Sequence, residues 1–240
     1  MINHQNDLLK SYDKVFDLFL NSKLFDQSKL KQSQKIFNLK NNKISTKKFD
    51  VYALVSGLKF SLNLQKKVIN LQKKINEVIG DKKRYWVKPK NLAVEYIVIK
   101  WPEDLFPLES NQIKFIKYLD KIEIKPFNLE IRGFQIHTDG CVVLRGFDNN
   151  NILSIRKKIL KKFKWLPKKQ SSWAHIPIGR ILENIKPYHF QKLKKLINET
   201  NLSFEFDEKI TNIKYVYEKQ WYMENIEVIF EKKLLSKYVF

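Results

Sequence analysis

Proton transfer near neutral pH is the chemistry that the scarcest side chains of this sequence can perform. There are four histidines and one cysteine among 240 residues, and imidazole is the group that serves as both acid and base in this range. His175 lies in Trp173-Ala174-His175-Ile176-Pro177-Ile178-Gly179-Arg180-Ile181-Leu182, an apolar run of strand character that follows a polar loop. His137 lies in Gln135-Ile136-His137-Thr138-Asp139-Gly140, where Asp-Gly signals a hairpin turn, so it reads first as a turn residue. His4 and His189 sit in polar surroundings and carry no signal. Glu95 interrupts the apolar run Leu92 to Ile99, and a carboxylate so placed can also act as a general base.

Other chemistries find less material. One cysteine, Cys141, and scattered histidines give no zinc spacing, and six glycines form neither a dinucleotide nor a phosphate-loop signature. Glu103-Asp104 lies in a Pro-flanked loop and reads as a solvated pair rather than a glycosidase site. No metal or cofactor is expected. Cys141 cannot form an internal disulfide, the first residues lack a signal-peptide pattern, and no apolar run reaches membrane-spanning length, so a reducing cytoplasmic setting without a membrane is expected.

The elements that must position these residues alternate in type. Residues 7 to 39 carry apolar groups at helical spacing, and Asn41-Asn42-Lys43-Ile44-Ser45-Thr46-Lys47-Lys48 reads as a linker, which makes residues 1–47 an N-terminal helical extension and 48–240 the main domain. A strand over Phe49 to Gly57 precedes a helix with Leu64, Val68, Leu71, Ile75 and Val78 on one face and Gly80 as its stop. Strands follow at Leu92 to Lys100, Phe127 to Ile136, Cys141 to Gly146 and around His175, with a final pair at Lys209 to Glu218 and Asn225 to Phe230. Helices fall at Asn111 to Lys121, Asn151 to Trp165 and Tyr188 to Asn198, so the chain is of mixed α/β or α+β type.

Two segments carry a family resemblance. His175-Ile176-Pro177-Ile178-Gly179-Arg180-Ile181 resembles the second motif of the two-histidine phosphoesterases, the group that includes RNA 2′,3′-cyclic phosphodiesterases and so-called 2′-5′ RNA ligases. Trp86-Val87-Lys88-Pro89-Lys90-Asn91-Leu92 looks like the approach to the first motif, and the order of elements over roughly residues 49 to 235 is similar to that of the family. The resemblance implies an α+β, bilobal fold, with two antiparallel sheets facing a central cleft and helices outside. It further implies one His-x-Thr/Ser from each facing strand. Here Ala93 and Glu95 stand at the first pair of positions, and His175 and Pro177 at the second.

Strict strand alternation puts His175, Pro177 and Gly179 on one face and Ala93, Glu95 and Ile97 on the face opposite. The cleft is therefore expected to hold His175 with Glu95, or with His137, as its proton carriers. An ionised Glu95 repels phosphate and lacks the donor proton of a threonine. The resemblance with these losses implies a divergent phosphoesterase-like protein whose cyclic phosphodiesterase activity is lost or reduced. A working enzyme that uses His175 with Glu95 or His137 is the alternative, and a non-catalytic assembly factor acting through residues 1–47 on a protein partner is another.

The net charge of +21, with 46 Lys and Arg against 25 Asp and Glu, exceeds what a Lys-, Asn- and Ile-rich composition accounts for, and such a field attracts polyanions. RNA or a nucleotide phosphate is the expected partner, in a basic cleft. Two clusters are the candidate contacts. Arg84, Trp86 and Lys88 interleave cations and aromatics before the first motif, and Lys161 and Lys164 lie on the polar face of the helix before the second, where Arg156 is also assigned.

Overall fold

The computed structural model describes residues 2–40, 43–201 and 203–234. In chain order they form α1 (Ile2–Asn21), α2 (Gln27–Gln34), β1 (Phe37–Lys40), β2 (Lys43–Thr46), β3 (Lys48–Gly57), α3 (Leu62–Ile79), β4 (Arg84–Trp86), β5 (Ala93–Lys100) and α4 (Glu109–Lys121). There follow β6 (Phe127–Ile136), β7 (Cys141–Phe147), α5 (Asn151–Lys162), β8 (Ile176–Ile181), α6 (Pro187–Asn201), β9 (Glu205–Ile210), β10 (Asn212–Gln220) and β11 (Asn225–Lys233).

Local chemistry sets several of these boundaries. Ser61 caps α3 by accepting from the Leu64 amide at 3.3 Å, Leu64, Val68, Leu71 and Ile75 form its buried stripe, and Gly80 ends it at φ +65°. Asp26 caps α2 by accepting from the Ser28 and Lys29 amides. On α5 the stripe Ile152, Ile155 and Ile159 is buried together with Arg156.

The strands form two larger antiparallel sheets and a hairpin. The first sheet has the order β11-β10-β3-β5, the second β4-β8-β7-β6-β9, and β1 pairs with β2. Strands β5 and β8 approach each other across the space between the sheets. Helix α5 packs on β5 and α4 on β11, while α3 and α6 pack together behind the second sheet. The architecture is α+β and bilobal, as expected.

Three local readings are corrected. The run expected as a linker is largely the hairpin strand β2, because Thr46 turns inward and is buried and the Lys47 amide binds the Ile36 carbonyl; Asn41 and Asn42 lie outside the described residues. The helical reading of residues 7 to 39 gives way to α1, α2 and strand β1, whose Phe37 stacks with Tyr222. The strand expected over Lys209 to Glu218 is two strands that break at Thr211, β9 joining the second sheet and β10 the first.

The N-terminal helices are tied to the second sheet. Leu8, Tyr12 and Phe19 of α1 are buried, whereas Leu9 and Leu18 face solvent. The Tyr12 hydroxyl donates to the Gly146 carbonyl at 3.2 Å, and the Trp173 indole N–H donates to Ser11 Oγ at 2.8 Å.

Candidate functional site in the cleft between the sheets

Strands β5 and β8 wall a cavity of about 280 Å³, and both residues of each motif reach it: Ala93 and Glu95 from β5, His175 from just before β8 and Pro177 from within it. His137 does not line it. It forms the predicted turn, with Gly140 N–H bonding its carbonyl at 2.9 Å and Gly140 at φ +82°. Its ring faces a neighbouring cavity beneath α1 and α2. The Trp173 indole meets the His137 ring and the His175 ring edge-on, at centroid distances of 5.6 and 5.5 Å.

Both walls depart from simple alternation just past their motif. Along β8, Val142 pairs with Gly179 and Val143 with Pro177, so Ile178 is an extra residue, a β-bulge that reverses the faces beyond it. Gly179, expected beside His175, instead faces Trp86, and Arg180 enters the cavity. Along β5, Leu54 pairs with Ile97 and Val55 with Glu95, so Tyr96 is the extra residue. Ile97, expected beside Glu95, turns into the main core, and Val98 joins Val51, Ala53 and Val55 on the cleft side.

The cavity is not basic. Its polar lining includes Glu95, Glu218, His175, Asn91 and Arg180. The one cation among these, Arg180, is engaged: Nε donates to the Tyr222 hydroxyl at 2.9 Å, and Nη1 donates to Ser33 Oγ at 2.5 Å and pairs with Asp139 at 3.2 Å. Glu218, on β10, was not anticipated. Only the pairing of β10 with β3, which sets Glu218 against Val51, brings it to the cleft. Its place two residues beyond buried Val216 on one strand face was the available signal.

Burial dominates the titration of these groups. It pushes the Glu95 carboxyl up to about 7, against the pull of the nearby Arg156 guanidinium. Glu218 is pushed up to about 8, first by burial and further by the negative charge of Glu95, although the Met223 amide donates to it at 3.0 Å. His175 is pushed down to about 4 by burial, with His137 and Arg156 adding positive charge nearby, and His137 falls to about 4 chiefly by burial. At neutral pH the cavity thus holds neutral imidazole, protonated Glu218 and a Glu95 near its midpoint. A histidine that titrates near 4 is a weak base and is not charged as an acid at pH 7.

Arg156 belongs beneath this site and not on the exposed face of α5 to which its Lys neighbours pointed. It is 4% exposed, its Nε donates to the Tyr96 carbonyl at 2.5 Å, and its Nη2 has no hydrogen-bond partner among the described residues. Its position one residue after Ile155 and four after Ile152 puts it at the edge of the buried stripe.

The other predicted contact residues lie off the cavity. The half-buried Trp86 packs against the core and donates its indole N–H to Asn76 Oδ1 at 2.9 Å. Arg84 donates to the Gly80 and Lys82 carbonyls at 2.9 and 2.7 Å. Lys88 is exposed and pairs with Glu224. Lys161 and Lys164 are exposed at and beyond the end of α5. The mouth is instead aromatic: Phe49 stacks on Trp221 and meets Trp101 edge-on, and Lys169 Nζ lies 5.3 Å from the Trp101 ring centre.

Among the described residues no group of His, Cys, Asp and Glu side chains is arranged to hold a metal ion, and no helix is long and apolar enough to cross a membrane. No family model and no curated protein matches the chain. Solved structures do. The chain is similar to the Agrobacterium tumefaciens protein of unknown function ATU0111, at 10% identity and a TM-score of 0.56 over 77% of this chain and 86% of that one. It is similar to a phosphoesterase, at 9% identity and a TM-score of 0.54 over 78% and 99%. It also matches LigT of E. coli in its complex with ATP, at 10% identity and a TM-score of 0.52 over 79% and 99%. Two sheets facing a cleft, matched along nearly the whole of those chains, give this protein the two-histidine phosphoesterase fold.

Proposed function

We propose that this protein binds RNA or a nucleotide through the cleft between its two sheets, and that the cyclic phosphodiesterase chemistry of the fold is lost or strongly reduced. The observation that carries the reading is the cavity lining: it holds one histidine, His175, and Ala93 stands where the resemblance places the other, so the second imidazole is missing. Glu95 does not replace it as an anion-tolerant group, because its ionised form repels a phosphate in an enclosed space. The aromatic mouth of Phe49, Trp101 and Trp221 supports a nucleic-acid ligand, since rings stack on bases and Lys169 beside Trp101 suits a phosphate. The net charge of +21 supplies the long-range attraction.

The test has two arms. Single-stranded RNA should bind with an affinity that falls steeply as salt rises, at a logarithmic slope of about −0.7 per phosphate contacted. 2′,3′-Cyclic nucleotides should survive incubation with concentrated protein. Hydrolysis that disappears in His175→Ala would restore the enzyme reading, and absence of any RNA or nucleotide binding would remove this one.

A further inference from the structure

The interior of the cavity is built for a different part of a nucleotide than a phosphate. Its polar groups, other than the engaged Arg180, include two carboxyls, an imidazole and an amide, with the Tyr222 hydroxyl that Arg180 binds and the Cys141 thiol beside them. Neither Glu95 nor Glu218 forms an ion pair among the described residues, apart from interactions at long range. A phosphate placed here would lose its hydration and meet carboxyl groups with no free cation in the lining, an arrangement that costs more than it returns.

Two side-chain atoms are waiting for partners. Asn91 is 8% exposed, lines the cavity, and its Nδ2 makes no hydrogen bond within the described chain. His175 Nδ1 is likewise buried and without a partner. Buried polar atoms are nearly always satisfied, so two orphans on residues that line one cavity point to a ligand with complementary groups. An amide N–H requires an acceptor, which argues against a cation as the occupant even though aromatic rings and carboxyls are present. Glu95, protonated or ionised, completes the set by donating to or accepting from a neighbouring atom.

The walls fit the same ligand. Trp101, Trp221 and Phe49 offer flat apolar faces, Ala93 removes bulk where the family carries a histidine, and Pro177 puts an apolar ring where it carries a hydroxyl. The volume, about 280 Å³, lies just below the roughly 300–1,000 Å³ common for whole small-molecule ligands, so it suits one ring system. We infer that the cavity takes an uncharged nucleobase, recognised by Asn91, Glu95 and His175 and stacked at the aromatic mouth, with the attached phosphate left outside. The inference rests on the RNA or nucleotide reading above and assigns the base to the space where the resemblance would place the phosphate. Exposed Lys168 and Lys169, on the loop that Gln170 pins to Val98 through bonds of 2.9 Å, then stand near the mouth to meet that phosphate.

Competition binding followed by Trp fluorescence separates the possibilities, with the full chain and a fluorescent single-stranded RNA as probe. The four ribonucleosides, which carry no phosphate, should displace the probe and quench Trp101 or Trp221, at least one of them ten-fold better than ribose 5-phosphate or inorganic phosphate. Asn91→Asp, which exchanges the donor for an acceptor at nearly equal size, should weaken the nucleoside ten-fold or more, and Ala93→Phe should fill the space and abolish it. Phosphate competing while nucleosides do not would overturn the inference and leave RNA binding standing. Tetramethylammonium competing better than nucleosides would also overturn it, in favour of a cation. Failure of RNA, nucleotides and nucleosides alike would instead remove the underlying reading.

Discussion

The two strands that face each other across the cleft, β5 and β8, share a backbone device and differ in side chains. Each carries a one-residue bulge shortly after its motif, at Tyr96 and at Ile178. Each bulge turns the following residue of the motif face away and presents a different one. Yet the β8 side keeps a histidine, at the residue before the strand, and adds Arg180, whereas β5 offers a methyl and a carboxyl. The shape of the cleft is thus set by register and pairing, which many residues share, while its chemistry rests on four positions that can change without moving the frame.

The strands also differ in what braces them from behind. β5 leans on a buried charge, Arg156, and the segment that enters β8 on the close backbone packing of β7, which α1 holds in turn. Arg156→Met tests the first brace and has the largest expected effect. It removes the donor to the Tyr96 carbonyl and the charge nearest Glu95, and should cost roughly 3 kcal/mol in denaturant unfolding, as loss of one member of a buried charged set does. It should also raise the titration midpoints of both Glu95 and His175, read by NMR, because Arg156 lowers each. A midpoint for His175 that does not move would place Arg156 outside the site.

Gly146→Ala tests the second brace. An added Cβ would stand 1.9 Å from the carbonyl oxygen of Ala174, the residue before His175, and backbone cannot yield as a side-chain tip does. Overpacking of this kind should cost about 2 kcal/mol, with the His175 resonance shifted. Stability unchanged within error would show that the β7–β8 edge is looser than its packing implies.

The carboxyls of the first sheet give a pH signature that the second lacks. Burial raises Glu95 and Glu218 above the ordinary carboxyl value of 4.5, so the folded state holds their protons longer. Their stabilising contribution is whole below about 4.5 and is lost as pH rises through about 7 and then about 8. His175 and His137 act oppositely, since both fall from 6.5 to about 4, and the stability they cost in acid is recovered by about 6.5. Between pH 6.5 and 8.5 the carboxyls act alone, and unfolding free energy should fall by about 2–3 kcal/mol. Glu218→Gln should flatten that decline, and an equally steep decline in the variant would assign it elsewhere. Tyr12→Phe should have the smallest effect, about 1 kcal/mol for the bond to the Gly146 carbonyl, and should leave the Glu95 midpoint in place.

Much of this arrangement was legible in the sequence, and the failures have physical causes. The Leu64, Val68, Leu71, Ile75 stripe with Gly80 behind it read directly as α3, because helical period and stop agree. His175 and Glu95 were found, and do meet in one cavity, because strand alternation is reliable over two residues. It failed at Gly179 and Ile97, where a bulge adds a residue that no local composition announces. Glu218 was missed because its position on the face of Val216 gains importance only from pairing between segments about 170 residues apart, Val51 with Glu218. Arg156 was misplaced by its company: a run of cations reads as a solvated face, and the hydrogen bond that draws one of them inward lies on another strand.

The strand order carries a consequence for how the chain is made. Every strand of the second sheet lies between residues 84 and 210, but β3, which begins at Lys48, finds its neighbour β10 only at residues 212–220. As the chain leaves the ribosome, the lobe that holds His175 has all of its strands before the lobe that holds Glu95 does. The later-completed half of the cleft therefore keeps one side of β3 unpaired through most of synthesis, and the last strands close it. Translation stalled just past Ile210 should leave the β3 amides that face β10 exchanging freely with solvent while those of β6 and β7 are protected.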